Sequence, residues 1–257
     1  MGRVMTFSYD ITLHFDKAVT GHSFVLRCLP AESPGQKVLR AELTLDPQVS
    51  FVEQRDSFGN RLQIGRIDTP HNHFHYRAEG AVLRDDRARI PENDRPLFRY
   101  PSACTQPSAA LRGAAEALCL PADGRGKAWA LLEAVQAHMR YCPGVTGVQT
   151  TAAQAFEQGA GVCQDYAHVY LCLARLKGLS ARYVSGLPEG EGASHAWCEV
   201  WLDGVWTGID PTRGRWTDDG YIRFGTGRDF ADCPMERGVF LGAANQCQTV
   251  FMKVQEQ

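Results

Sequence analysis

Along residues 5–15 apolar and polar positions alternate without a break, with Met5, Phe7, Tyr9, Ile11, Leu13 and Phe15 set against Thr6, Ser8, Asp10, Thr12, His14 and Asp16. A period of two places these sets on opposite faces and predicts a half-buried strand. Strand-like runs follow at 23–29, 40–45, 61–67 and 71–78, separated by turn residues such as Ser33-Pro34-Gly35 and Asp56-Ser57-Phe58-Gly59-Asn60. Together they predict an antiparallel β domain of sandwich type over residues 1–90. Pro91, Pro96, Pro101 and Pro107 then punctuate a charged stretch, so 85–107 reads as a linker with little regular structure. Beyond it the period changes: Trp129, Leu132, Val135, Gln136 and Met139 trace one helical stripe, read as core, and a shorter helical piece covers 151–158. Tyr166, Val169, Tyr170 and Leu173 recur at i, i+3, i+4 and i+7, with Gly178 as a natural stop. A strand near 182–185, a glycine-rich loop at 188–194, a hairpin and one or two strands from 221 onward complete an α+β core over residues 91–257.

The helix that ends at Gly178 begins at Cys163, just after Gly159-Ala160-Gly161. Unpaired N–H groups and the positive end of the helix dipole meet there, and both favour an anion. A thiolate is the nucleophilic form of cysteine, so this position favours reactivity. Downstream, Asp203-Gly204 between two strand-like runs is a two-residue hairpin signal. In that register 202 faces 205 and 210 faces 197, which brings His195 one diagonal step from Asp210 on a single face, away from the core. The other face carries Ala196, Cys198, Val200, Leu202, Val205, Thr207 and Ile209 and is the one expected to pack.

Gly161-Val162-Cys163-Gln164-Asp165-Tyr166-Ala167-His168, Ser194-His195-Ala196-Trp197 and Asp210-Pro211-Thr212 resemble the motifs of the bacterial transglutaminase-like superfamily, predicted cysteine proteases of papain-like fold. Gly227-Arg228-Asp229-Phe230-Ala231-Asp232 resembles its C-terminal signature, and the first 90 or so residues resemble the β-rich domain that precedes the catalytic core in many members. The resemblance implies a transglutaminase/papain-like catalytic core behind an antiparallel β domain. Cys163 would be the nucleophile, His195 the base and Asp210 its orienter, with Gln164, Asp165 and Trp197 shaping the site. The Cys163 amide is the first oxyanion donor expected. Arg213 stands where the family often has asparagine and Tyr221 where a histidine is common; neither is expected to touch the triad, though both could alter substrate selection.

Bulk properties narrow the partners. A chain of 257 residues with 44% hydrophobic and 22% charged content is globular in composition, and a net charge of -2 gives no reason to expect nucleic acid or an anionic membrane. No apolar run approaches a membrane span and no signal segment is visible, so the expectation is a cytoplasmic protein acting on a peptide or protein substrate. Nine cysteines, odd in number and without a Cys-x-x-Cys pair, suggest neither a disulfide framework nor a zinc ribbon. His71, His73 and His75 share a strand face, but no carboxylate or cysteine accompanies them in sequence, so no metal and no cofactor are expected. Hydrolysis is favoured because no EF-hand-like loop of the kind calcium-dependent cross-linking would use is present. An amine-accepting transglutaminase and a non-catalytic scaffold remain the alternatives.

Overall fold

The computed structural model describes residues 2–88 and 90–257. The alternation of residues 5–15 runs on into one 24-residue strand, β1 (Arg3–Leu26). The run at 23–29 is therefore the far end of β1 and not a separate element. Gly21, at φ 55°, and a register shift between Thr20 and Ser23 change the strand's course there. Then come β2 (Gln36–Asp46), β3 (Phe51–Arg55), β4 (Arg61–Ile67) and β5 (His71–Arg84). β3 escaped the sequence reading because it is almost wholly exposed and carries no alternating apolar face. After the 85–107 segment come α1 (Ala109–Ala117), α2 (Gly124–His138), β6 (Arg140–Tyr141), α3 (Ala152–Gln158), β7 (Ala160–Gly161) and α4 (Cys163–Leu176). The chain continues through β8 (Ala181–Pro188), β9 (Gly190–Gly192), β10 (His195–Leu202), β11 (Val205–Asp210), β12 (Arg215–Trp216), β13 (Tyr221–Gly227), β14 (Glu236–Leu241) and β15 (Gln246–Glu256).

Two sheets result. The larger runs β2-β5-β1-β15-β9, with β4 and β14 also pairing with β1, and β3 pairing with β4. The smaller is antiparallel in the order β12-β11-β10-β8-β13. One expected boundary shifts here. The tail, assigned from sequence to the core, returns to β1 and pairs with it from Met5↔Glu256 to Phe15↔Gln246. Met252 and Val254 are buried there among the β1 side chains, so the N-terminal layer is built from both ends of the chain.

The smaller sheet is covered on both faces. Ala196, Cys198 and Ile209 lie under α4, whose residues from Asp165 to Arg175 are all buried. On the reverse face Val184, Trp197 and Tyr221 form a small buried cluster. Leu187, Ile222 and Phe224, at the β8–β13 side, join the core of the larger sheet, with Phe224 meeting Phe7 edge-on at 5.2 Å between ring centroids. The face expected to pack, with Ala196, Cys198, Val200, Leu202 and Ile209, lies in the α4 core, and the His195 face lies outside that core. It is covered all the same: Trp197 is buried, and Glu199 accepts from Arg182 at 2.6 Å and from Arg223 at 2.9 Å. These charges are tolerable out of water because each is paired.

The 85–107 segment, expected to be loose, contains 3-10 turns at Asp86–Ala88, Pro96–Arg99 and Ala103–Thr105. Its second half is fixed to the core. Phe98 is 1% exposed, and the Arg175 guanidinium donates to Phe98 O (3.2 Å), Thr105 Oγ1 (2.6 Å), Ala181 O (2.9 Å) and Arg228 O (2.6 Å). One buried cation therefore ties linker, sheet and tail to α4.

Candidate active site

Cys163 is the first residue of α4, after Val162 in an extended conformation. Its amide belongs to the first helical turn, whose N–H groups have no acceptors within the helix. Asp165 builds this start: Oδ2 accepts the Val162 N–H at 2.8 Å and the Thr146 hydroxyl at 2.6 Å, and the side chain is buried. Burial raises the Asp165 pKa above the usual carboxylate range. A Cβ on Gly161 would collide with that carboxylate, which accounts for the glycine two residues before the cysteine. Behind the turn, β6 and β7 pair in parallel, and Tyr166 donates to Met139 O at 2.9 Å. Gln164 turns outward and donates to Val148 O at 3.2 Å. Asp165 thus holds the helix start and Gln164 the loop beside it.

The hairpin follows the expected register, with Leu202 opposite Val205 and Cys198 opposite Ile209. Asp203 and Gly204 have φ of 50° and 87°, the positive pair that a type I′ turn requires. His195 Nε2 lies 2.7 Å from Asp210 Oδ2. The Cys163 side chain is close enough to the imidazole to favour its charged form, and with Nε2 committed to Asp210, Nδ1 is the ring nitrogen left to serve the sulfur. Three sequence-predicted residues from three elements, α4, β10 and β11, thus converge.

Asp210 is fully buried and holds four donors. Oδ2 accepts from His195 and from the Tyr221 hydroxyl (2.9 Å), and Oδ1 from the amides of Thr212 (3.0 Å) and Arg213 (3.1 Å). Burial opposes its charge, but the bonds to His195 and the other donors outweigh it, and its pKa is lowered. Burial likewise opposes the charge on His195. The bond to Asp210 and the nearness of Cys163 win there too, raising the imidazole to about 9. Trp197 stacks beside His195, centroids 6.3 Å apart and planes at 26°, and meets Tyr221 edge-on at 5.2 Å. It walls the pair from the interior.

Tyr221 and Arg213 correct the sequence reading, which kept both off the triad. Tyr221 bonds Asp210 directly. The Arg213 amide does too, while its guanidinium Nε is 3.9 Å from Oδ2. Gln136, read as part of a core stripe, donates to Pro211 O at 2.8 Å and Thr212 O at 3.1 Å, supporting the turn that holds Asp210. His168 was quoted only as part of a motif. Its Nδ1–H donates to Thr150 O (3.3 Å) and Nε2 accepts the Phe230 N–H (3.1 Å), a neutral tautomer that agrees with burial lowering its pKa to about 4.

The three histidines of 71–75 take separate partners. His71 Nε2 lies 3.2 Å from His22 Nδ1, His73 Nε2 3.2 Å from Asp46 and His75 Nε2 2.6 Å from Asp10. Among the described residues no three His, Cys, Asp or Glu side chains are grouped to hold a metal ion. All nine cysteines are free, with Cys28, Cys172, Cys198 and Cys233 buried. No helix among the described residues is long and apolar enough to cross a membrane.

Residues 114–211 match the transglutaminase-like superfamily core, and residues 5–83 match the bacterial transglutaminase-like N-terminal region. An uncharacterized protein of Mycobacterium leprae is 40% identical over 112 residues, which are 40% of this chain and 40% of that protein. One from Mycobacterium tuberculosis is 37% identical over 115 residues, 38% of this chain and 37% of that protein. The matched segment thus spans well under half the length of these relatives. The crystal structure of a candidate cysteine protease from Cytophaga hutchinsonii superposes with a TM-score of 0.82 at 22% identity, over 100% of this chain and 91% of that one, and shows the same fold.

Proposed function

We propose that this chain, which carries a transglutaminase-like core behind the N-terminal region of the bacterial transglutaminase-like proteins, is a cysteine-nucleophile enzyme that cleaves amide bonds of peptide or protein substrates. The observation that carries the reading is the convergence of Cys163, His195 and Asp210, with the sulfur at a helix start, close enough to raise the imidazole's pKa, and the carboxylate 2.7 Å from the imidazole.

The Cys163 sulfur attacks the carbonyl carbon, and the developing oxyanion turns toward the Cys163 amide at the positive end of α4. His195 delivers its proton to the departing amine, the C–N bond breaks, and a thioester remains. A water molecule then gives a proton to His195 as its oxygen attacks the thioester. The acid leaves and the thiolate–imidazolium pair is restored. Asp210 keeps the imidazole oriented and stabilises its cation throughout. Free cysteines, four of them buried thiols, support the cytoplasmic setting expected from the sequence.

The test is to incubate the protein with a peptide library, with and without a primary amine, and to read product masses. Hydrolysis predicts products gaining one water at a Cys163-dependent rate. Amine adducts in place of acids would move the reading to acyl transfer, and no Cys163-dependent product would overturn it.

A further inference from the structure

A groove of about 620 Å³ runs between the loop carrying Val148 and the tail carrying Phe230, Pro234 and the start of β14. That volume lies within the usual range of ligand sites. Both walls connect to the proposed catalytic residues. Val148 O accepts from Gln164, the neighbour of Cys163. On the opposite wall Glu236 accepts from Tyr76 at 3.2 Å. Tyr76 stands edge-on to Tyr9 at 6.3 Å, and Tyr9 lies near Ser194, which precedes His195. His168 joins the walls through Thr150 O and Phe230 N. It lies five residues beyond Cys163, about 7–8 Å along the helix axis. An extended peptide covers that in two or three residues.

The groove follows an edge of β14 and not one of its faces. Successive strand residues point to opposite faces, yet Glu236, Arg237 and Gly238 in succession all line it. The other edge of β14 pairs with β1 from Leu26↔Glu236 to Thr20↔Leu241, and among the described residues β1 is the only strand that pairs with β14. Such an edge is a template for one more strand. Beside it the wall is apolar: Val148 is 65% exposed, with Phe230, Ala231 and Pro234 opposite. An exposed valine on a loop has no packing role of its own.

We propose that this groove is the substrate subsite of the Cys163 centre, taking a peptide segment as a strand added to β14 and seating a bulky apolar side chain against Val148, Phe230 and Pro234. The inference rests on the proposed function only for what happens to the peptide afterwards.

The test is binding of labelled octapeptides, differing at one central position, to the full-length Cys163→Ala protein by fluorescence anisotropy. Peptides with Phe or Leu should bind about tenfold or more tighter than the same peptide with Asp. Val148→Asp, a change at an exposed position, should abolish that preference. N-methylation should weaken binding at alternate amides only, because an added strand bonds to its neighbour with period two. Equal affinities across the panel, no binding, or indifference to Val148→Asp would overturn the proposal. Hydrolysis of a small activated ester by the unmodified enzyme and by Cys163→Ala is measured alongside. Ester turnover that depends on Cys163 without peptide binding sinks the groove alone. Peptide binding without such turnover sinks the catalytic reading alone.

Discussion

Tyr221 gives its hydroxyl to Asp210 Oδ2 at 2.9 Å, the same oxygen that lies 2.7 Å from His195 Nε2. Two donors share one carboxylate oxygen, so each sets the charge the other meets. Tyr221→Phe removes a hydrogen bond to a charged group, worth about 1.5–3 kcal/mol. It leaves more of the carboxylate's charge to His195, so the imidazole should titrate higher. The alkaline limb of the pH–rate profile should move up while turnover falls about tenfold through lost orientation, and Tyr221→His should restore much of the rate. An unchanged profile would reduce Tyr221 to plain packing.

His195 gives the pH dependence a sign. Its pKa is raised from the ordinary 6.5 to about 9. The stabilisation from its contacts is fully present below the unfolded value and is lost as pH rises through about 9. Activity should hold a plateau to about pH 9 and decline above it. Asp210→Asn removes the charge that opposes burial, and the alkaline limit should fall toward about 6.5 or below. A limit that stays near 9 in this variant would mean Asp210 does not hold the imidazolium.

Arg175 joins the 96–105 turns, β8 and the tail to α4 through its guanidinium. Arg175→Leu leaves several buried carbonyl and hydroxyl groups without their donor and should cost about 3–5 kcal/mol in urea unfolding. A loss below about 1 kcal/mol would show that the cluster relaxes onto other donors.

The N-terminal β layer and the core were expected to meet at a protease-sensitive linker. Phe98 and Thr105 are buried and bonded, so we expect the first cut of limited proteolysis at 85–95, before the packed turns. A first cut within 96–107 would contradict the tethering by Arg175.

What the sequence displays well is short-range. The α4 stripe, the Asp203-Gly204 turn and the diagonal from His195 to Asp210 all follow from local periods and one turn type, and the structure keeps them. What it hides is contact between remote segments. β15 pairs with β1 across more than 200 residues, and its alternation names no partner. Tyr221 reaches Asp210 from β13 at the far side of the small sheet, so neither spacing nor period signals it. Gln136, His168 and Arg175 sit on recognisable helices, yet most of their partners lie in distant segments. Pro96 and Pro101 marked irregular backbone correctly, but irregular was not loose, because Phe98 is anchored beneath Arg175.

The most direct measurement is rapid-quench peptide mapping after mixing the enzyme with a slowly hydrolysed acyl ester. The account predicts a transient acyl adduct on the Cys163 peptide alone, labile to hydroxylamine as a thioester is. It should form more slowly in His195→Ala and be absent in Cys163→Ala. An adduct spread over the exposed cysteines, Cys119 and Cys247 among them, or turnover that persists in Cys163→Ala, would contradict it.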